Sequence, residues 1–144
     1  APRMQERTSA TSGPGDRTSD RARRFIDALR RAEDARDPGP LVELFAEDCE
    51  LQSLAVASPM TGRDGARRFW SAYLSSFAVV RSRFDRVTEA DGLAVLEWTT
   101  TVKLGSGDEA AYRGVTIVEF TGDAVRRFRT YYDSAALERR ARRP

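Results

Sequence analysis

The stretch that decides the fold is residues 93–133, which reads LAVLEWTTTVKL, GSGD, EAAYRGVTIVEF, TGD and AVRRFRTYYD in order. Three runs rich in β-branched and aromatic residues are separated by two Gly-centred breaks, and Asp91-Gly92 precedes the first run. Such breaks between extended runs are the strongest local hairpin signals. The stretch therefore predicts an antiparallel meander of three strands, and residues 77–90 are expected to supply a fourth.

Side chains alternate along these runs, which separates an inward face from an outward one. Apolar or hydroxyl-bearing side chains occupy the even positions of the first run: Ala94, Leu96, Trp98, Thr100, Val102 and Leu104. Its odd positions include Glu97 and Lys103. The middle run is apolar on both sides, and such a strand is usually central and covered on both faces.

Three segments ahead of the meander predict helices. The first begins near Asp20, after a Ser or Thr cap, and its apolar residues repeat at helical spacing. The second follows Asp37-Pro38, a pair that suits an N-cap and a first helical position. The third covers about residues 64–76 and follows a strand predicted for residues 49–56.

This order of elements predicts an α+β fold. We expect a curved antiparallel sheet, rolled into a cone, with the three N-terminal helices covering its concave face and an open mouth. The domain is predicted to span residues 19–138. Residues 1–18 are too polar to bury a core, so they are predicted to form a disordered N-terminal arm. Residues 139–144 are predicted to form a basic C-terminal tail.

The composition excludes several kinds of site. The chain of 144 residues suits one domain, and it contains no histidine and a single cysteine, Cys49. A Ser-His triad and histidine-ligated metals are therefore impossible, and no disulfide can form within the chain. A zinc site built from one cysteine and carboxylates is implausible. We accordingly predict no metal and no cofactor.

The charge pattern bears on partners. The formal net charge is +2, with 24 basic and 22 acidic residues interleaved along most of the chain. A nucleic-acid site would gather basic residues on one face. No apolar run reaches the length of a membrane span, and no leader segment with an apolar centre is seen. No nucleic-acid or membrane partner is predicted, and a cytoplasmic location is expected.

Four short segments carry a resemblance to a known family: LVELFAED at 41–48, TGRDGARRFW at 61–70, YRGVTIVEF at 112–120 and FRTYYD at 128–133. In this order and spacing, residues 20–137 resemble the SnoaL-like branch of the nuclear transport factor 2-like superfamily. The superfamily hosts ketosteroid isomerases, polyketide cyclases, epoxide hydrolases, dehydratases and non-catalytic binding proteins. The resemblance therefore implies a fold more than an activity.

The catalytic groups of these relatives do not carry over. The resemblance puts the catalytic carboxylate of the isomerases at about Ser53, their oxyanion-binding acid at Thr116 and their helix tyrosine near Leu29. An acid of the aromatic-polyketide cyclases falls in the same region as Thr116. The Asp-Arg-Asp set of the epoxide hydrolases is not found with inward parity either. Familiar isomerase, cyclase and hydrolase chemistry is thus not implied at these positions.

Parity predicts the wall of a pocket on the concave face. Its expected residues are Leu51, Ser53, Trp98, Thr100, Thr116, Val118, Phe128, Thr130 and Tyr132, roofed by Phe69, Trp70 and Tyr73. Such a wall suits a hydrophobic or aromatic small molecule, although the same residues could instead fill a solid core. If protons are handled here, Tyr132 is the best catalytic candidate, with Thr116 and Ser53 as weaker orienting groups.

Two classes of function stay open. One is a cyclase-, isomerase- or dehydratase-type tailoring or accessory protein of bacterial secondary metabolism, of the kind that makes polyketide-type antibiotics. The other is a non-catalytic ligand-binding protein with no turnover. A homodimer is also predicted, through the outer face of the sheet at Val115, Ile117 and Tyr131, since apolar residues ringed by charges indicate a contact surface. Arg86 and Arg126 are expected at the pocket mouth or on the surface.

Overall fold

The computed structural model describes residues 19–141, which form helices against one six-stranded sheet. The helices are α1 (Asp20–Ala35), α2 (Gly39–Val42), α3 (Gly62–Ser75) and α4 (Ser134–Ala141). The strands are β1 (Phe45–Ser53), β2 (Met60–Thr61), β3 (Val79–Ala90), β4 (Leu93–Lys103), β5 (Glu109–Thr121) and β6 (Ala124–Tyr132). The arm predicted for residues 1–18 lies outside the described residues.

The sheet has the strand order β2-β1-β6-β5-β4-β3. Neighbouring strands are antiparallel, except that β1 and β6 run parallel. The predicted α+β class with a curved sheet is confirmed, and the parallel pair is the one departure from an antiparallel sheet. That pair brings Ser53, at the end of β1, beside Thr130 on β6.

The meander forms as the sequence predicts. Strands β4, β5 and β6 begin and end within one residue of the three runs, and burial alternates along β4. The turn before β4 uses Asp91 (φ 52°) and Gly92 (φ 78°), and Gly122 between β5 and β6 has φ 59°. Positive φ at both central residues is the geometry of a two-residue hairpin turn whose twist matches the strands.

The elements before the meander differ from prediction at their edges. Helix α2 is a single turn, and β1 begins at Phe45 rather than Cys49. Between the predicted strand and the third predicted helix lies the two-residue strand β2, which was not predicted and which pairs with β1. Helix α4 was not predicted, and it includes residues 139–141 of the expected basic tail.

Helix α1 supplies one layer of the core. Ser19 caps it by accepting a hydrogen bond from the Ala22 N–H at 3.3 Å. Its buried stripe is Ala22, Phe25, Ile26, Ala28, Leu29 and Ala32, as the helical spacing predicts. The helix ends at Arg36 (φ 61°), whose guanidinium donates to the Leu74 carbonyl at 2.7 Å and the Phe77 carbonyl at 2.8 Å. The ends of α1 and α3 are thereby joined.

No helix within residues 19–141 is long and apolar enough to cross a membrane.

Candidate functional site

A cavity of about 240 Å³ lies between the sheet, α1, α3 and α4. Its wall includes Phe25 of α1, Tyr73 of α3 and Leu137 of α4, together with side chains from β1 and β3–β6. No charged side chain of the described residues lines it. The cone is therefore hollow rather than filled by its side chains, and its surface is aromatic, aliphatic and hydroxyl-bearing.

The structure brings ten of the twelve predicted pocket residues to this cavity. They are Ser53, Phe69, Trp70, Tyr73, Trp98, Thr100, Thr116, Phe128, Thr130 and Tyr132. Leu51 and Val118 do not line it, because both are fully buried in the core beneath the wall. Ser53, Thr116 and Leu29, the three positions that the resemblance matched to isomerase groups, all face the cavity.

Twelve further lining residues were not predicted: Phe25, Leu29, Ala55, Val56, Met60, Ala72, Ser76, Phe77, Ser82, Phe84, Tyr112 and Leu137. Some of these residues could have been predicted from the alternation along their strands. Ser82 and Phe84 share the parity of the buried Val80 on β3, and Tyr112 shares that of Thr116 on β5. Leu137 could not, because its helix was not predicted.

A chain of three side chains crosses the floor of the cavity. The Trp98 indole N–H donates to Thr116 Oγ1 at 2.8 Å, and Thr116 Oγ1 lies 2.9 Å from Thr130 Oγ1. All three residues are buried. Because a threonine hydroxyl both donates and accepts, the two hydroxyls can share their protons in either sense. The floor can thus present a donor or an acceptor to a bound molecule.

A second polar cluster is built around Glu33, which the sequence analysis did not single out. Glu33 is only 4% exposed near the end of α1. Its carboxylate accepts hydrogen bonds from the Tyr73 hydroxyl at 2.8 Å, the Ser82 hydroxyl at 2.6 Å and the Ser82 N–H at 2.8 Å. Ser82 Oγ is also 2.9 Å from Thr100 Oγ1. No carboxylate lines the cavity within residues 19–141, but this one lies directly behind its wall.

Three of the tyrosines line the cavity and hold their protons tightly. Burial raises the pKa of Tyr112, and the neighbouring Tyr132 and Glu33 add to that effect. Burial likewise raises the pKa of Tyr132, and burial followed by the Glu33 charge raises the pKa of Tyr73 well above its usual range. A phenol with a raised pKa is a neutral hydrogen-bonding group at physiological pH and a poor base.

One donor at the wall has no partner. The indole N–H of Trp70 is buried, and no atom of the described residues accepts a hydrogen bond from it. Trp70 packs edge-on against Tyr73, with ring centroids 5.6 Å apart and planes at 85°. A buried unpaired N–H costs on the order of 1–3 kcal/mol. An acceptor atom on a bound molecule could remove this cost by accepting a hydrogen bond from the indole.

The remaining candidates lie away from the cavity. Arg86 is 3.9 Å from Glu97, and Arg126 is 3.2 Å from Asp48, so these arginines form surface ion pairs. Neither arginine lines the cavity. Cys49 is fully buried in the core, where burial raises the pKa of its thiol. No group of three or more acidic, cysteine or histidine side chains within residues 19–141 could hold a metal ion.

The chain belongs to the SnoaL-like domain family, whose sequence model matches residues 22–128. Its fold places it in the SnoaL-like branch of the nuclear transport factor 2-like superfamily, as the resemblance predicts. No curated protein matches the chain.

Solved structures with the same fold are distant in sequence. A hypothetical protein with a ketosteroid isomerase-like fold from Catenulispora acidiphila, in complex with trimethylamine, is 18% identical with a TM-score of 0.74, covering 83% of this chain and 93% of that one. A putative SnoaL-like polyketide cyclase from Jannaschia sp. CCS1 is 15% identical with a TM-score of 0.71, covering 90% and 99%. TerC co-crystallised with polyporic acid is 16% identical with a TM-score of 0.69, covering 81% and 97%. At such identities the likeness shows the fold.

Proposed function

We propose that this protein binds a small, neutral, aromatic or hydrophobic metabolite in the cavity, as a cyclase- or isomerase-type tailoring or accessory protein of bacterial secondary metabolism. One observation carries the proposal. The cavity is lined by aromatic and hydroxyl-bearing side chains and by no charged side chain of the described residues. Pockets that are mostly apolar with a few convergent polar groups are typical of small-molecule sites.

Size and charge narrow the ligand class. An apolar cavity of about 150 Å³ can hold benzene, so about 240 Å³ suits a molecule of one or two rings. A charged group would lose its hydration here without meeting an opposite charge, which costs several kcal/mol. A neutral aromatic with one or two polar substituents therefore fits best.

Fold relatives support the metabolic setting. TerC was crystallised with polyporic acid, and the Jannaschia protein is described as a putative polyketide cyclase. Transferred to this chain, these descriptions favour a role in polyketide-type or related secondary metabolism. The cytoplasmic location stays a prediction from the sequence.

Binding without turnover is the second candidate function, and it has an observation of its own. The described groups that line the cavity include no carboxylate and no arginine, and burial raises the pKa of Tyr73, Tyr112 and Tyr132. These phenols suit hydrogen bonding better than proton abstraction. In a catalytic protein, Tyr132 is the proton donor that we favour, because it lines the cavity and is only partly buried.

Blocking the cavity tests the proposed function. Val56 is a partly buried loop residue that lines the cavity, so Val56→Trp should fill part of the cavity with an indole ring while the helices and strands stay unchanged. We expect binding of 2-naphthol, measured by equilibrium dialysis, to weaken by at least about tenfold, equivalent to about 1.4 kcal/mol.

The matched control is Ala57→Trp. Ala57 is the next residue of the same loop, it is exposed and it does not line the cavity. This variant should bind 2-naphthol like the wild type. Wild-type protein that binds neither 2-naphthol nor its methyl ether would refute the proposed function, as would equal binding by Val56→Trp and Ala57→Trp.

We also propose that two copies pair through the outer face of the sheet. Val115 and Ile117 are partly buried there, and Tyr131 is 42% exposed. Arg127 and Arg129 of the same face both approach the carboxylate of Glu119. Exposed apolar side chains bordered by charge pairs have the composition of a contact surface.

The pairing predicts a mass change on mutation. Light scattering at micromolar concentration should give a dimer for the wild type and a larger monomer fraction for Ile117→Lys. The ammonium group of the new lysine would lose its hydration in the contact, which costs free energy. Thr121→Lys, at the exposed end of β5, is the control and should stay dimeric. A monomeric wild type would refute the pairing.

A further inference from the structure

The protons of three cavity hydroxyls are fixed by a single carboxylate. The hydroxyls of Tyr73 and Ser82 both donate to Glu33 Oε2, so both hydroxyl protons point at this carboxyl group. The Ser82 N–H occupies the other carboxylate oxygen at 2.8 Å. These three donors supply the hydrogen bonds that a buried carboxyl group needs.

The direction of the next hydrogen bond follows from the first two. Ser82 has one hydroxyl proton, and that proton is used on Glu33. In the 2.9 Å contact between Ser82 and Thr100, Thr100 must therefore be the donor. Thr100 therefore donates to Ser82, and Ser82 donates to Glu33. Tyr73 donates to Glu33 separately.

The oxygens of this cluster can therefore only accept a hydrogen bond from a ligand. Tyr73, Ser82 and Thr100 all line the cavity, yet their protons are directed toward one another or toward Glu33 behind the wall. Burial and the Glu33 charge also raise the pKa of Tyr73, so its oxygen stays a protonated phenol whose proton is already used. Only lone pairs are left for a ligand at this end.

We infer that this end of the cavity selects a ligand that carries a hydrogen-bond donor, in particular a hydroxyl group on an aromatic ring, and that Glu33 is the positioning residue that sets this preference. The Tyr73 oxygen accepts the ligand hydroxyl. Trp70 and Phe77 pack edge-on against Tyr73 at centroid distances of 5.6 and 6.2 Å and also line the cavity, so they can contact the aromatic part of the ligand. The inference rests on the proposed function and adds the ligand's substituent to it.

The cavity wall also carries hydrogen-bond donors. The indole N–H of Trp70 is buried without an acceptor among the described residues, and the phenols Tyr112 and Tyr132 also line the cavity. These groups can donate to a carbonyl or ether oxygen of the same ligand. A hydroxyaryl compound that also bears a carbonyl group therefore matches both the acceptors and the donors of the wall.

The test compares two ligands with the same naphthalene ring, one with a hydroxyl donor and one in which a methyl group replaces the donor hydrogen. 2-Naphthol carries an O–H, and 2-methoxynaphthalene replaces it by O–CH₃. Equilibrium dialysis on the wild-type chain should show 2-naphthol binding about fivefold more tightly, the fold-change that corresponds to one neutral hydrogen bond of about 1 kcal/mol. Equal binding of the two compounds overturns the inference and leaves the proposed function standing, whereas absence of any binding removes both.

Two variants locate the source of the preference. Glu33→Gln introduces an amide N–H that can donate to the Tyr73 oxygen, so the phenol proton is released toward the cavity. The preference for 2-naphthol should fall to about onefold or reverse. Tyr73→Phe removes the acceptor and should also abolish the preference, while 2-methoxynaphthalene binds as in the wild type.

Asp34→Asn is the matched control, since Asp34 is the exposed acid next to Glu33 on α1. It should keep the fivefold preference. Circular dichroism and thermal unfolding establish that each variant is folded, and Tyr73→Phe carries the test if Glu33→Gln is not. A preference that survives in Tyr73→Phe excludes this oxygen as the acceptor, and one that survives in a folded Glu33→Gln excludes Glu33 as the residue that sets it.

Discussion

Replacing Phe128 by alanine is expected to lower the free energy of unfolding by about 3–5 kcal/mol, the usual range for deleting a buried phenylalanine ring. Phe128 is 3% exposed on β6. Its ring centroid lies 5.1 Å from that of Trp70, 5.6 Å from Phe69, 6.0 Å from Phe25 and 6.3 Å from Phe45. One ring thus packs α1 and α3 against β1 and β6 of the sheet, and no neighbour can fill the space without leaving another partner.

Urea unfolding at neutral pH measures this loss. Leu54→Ala is the matched control, because Leu54 is an exposed apolar residue that lies outside the cavity wall and outside the proposed dimer contact. Its removal should cost well under half as much. A loss below about 1 kcal/mol for Phe128→Ala would show that the aromatic cluster does not hold the helices on the sheet. Because Phe128 also lines the cavity, a folded variant should accept bulkier ligands than the wild type.

The part of the fold that could be predicted is the part that local signals specify. Alternation along β4 and the positive-φ turn at Asp91-Gly92 fix strand identity and register within a few residues of sequence. The helical spacing in α1 is similarly local. Residues 93–133 therefore predicted the centre of the sheet correctly, including which face of β4 is buried.

The edges were not predictable in the same way. Phe45 fits the apolar period of a short helix as well as that of a strand, and only its pairing with Val125 of β6 decides in favour of β1. That pairing joins residues 80 positions apart. Strand β2 likewise exists only because Met60 and Thr61 meet β1.

Parity identifies the side of a strand but not the depth of a side chain. Leu51 and Ser53 share one face of β1, yet Ser53 reaches the cavity and Leu51 is covered. The depth of a side chain depends on the helices that cover the sheet, and the alternation along a strand does not predict where those helices lie. The same limit explains why Val118 was assigned to the pocket although it lies in the core.

Glu33 could not be recognised from its neighbours in sequence. It lies in an arginine-rich helix where a glutamate normally faces solvent, and its partners Tyr73 and Ser82 are 40 and 49 residues away. Its position in the helix was the one sequence feature that indicated burial, because Glu33 follows Leu29 by four residues and so lies on the buried face of α1. An acid on the apolar stripe of a helix is a reason to look for a buried polar cluster.

Replacing Gly114 by alanine is expected to lower the free energy of unfolding by about 3 kcal/mol, the upper part of the usual range for overpacking. Gly114 lies on β5 opposite Trp98 on β4 and Tyr132 on β6. A Cβ atom at this position would lie 2.5 Å from Trp98 Cζ2 and 2.5 Å from the backbone oxygen of Tyr131. The backbone oxygen cannot turn away, so the indole and the strand must both shift.

The displacement of Trp98 should change ligand binding in the cavity as well as the free energy of unfolding. Trp98 lines the cavity and donates its N–H to Thr116, so displacing its ring should break that hydrogen bond and weaken 2-naphthol binding. Urea unfolding and equilibrium dialysis measure the two effects on one sample. Gly105→Ala is the control, because a Cβ atom at that position would have no atom within 4 Å. The free energy of unfolding of this variant should stay within about 0.5 kcal/mol of the wild-type value. Equal stability of the two variants would mean that Trp98 is free to move and that its contact with Gly114 does not define the cavity wall.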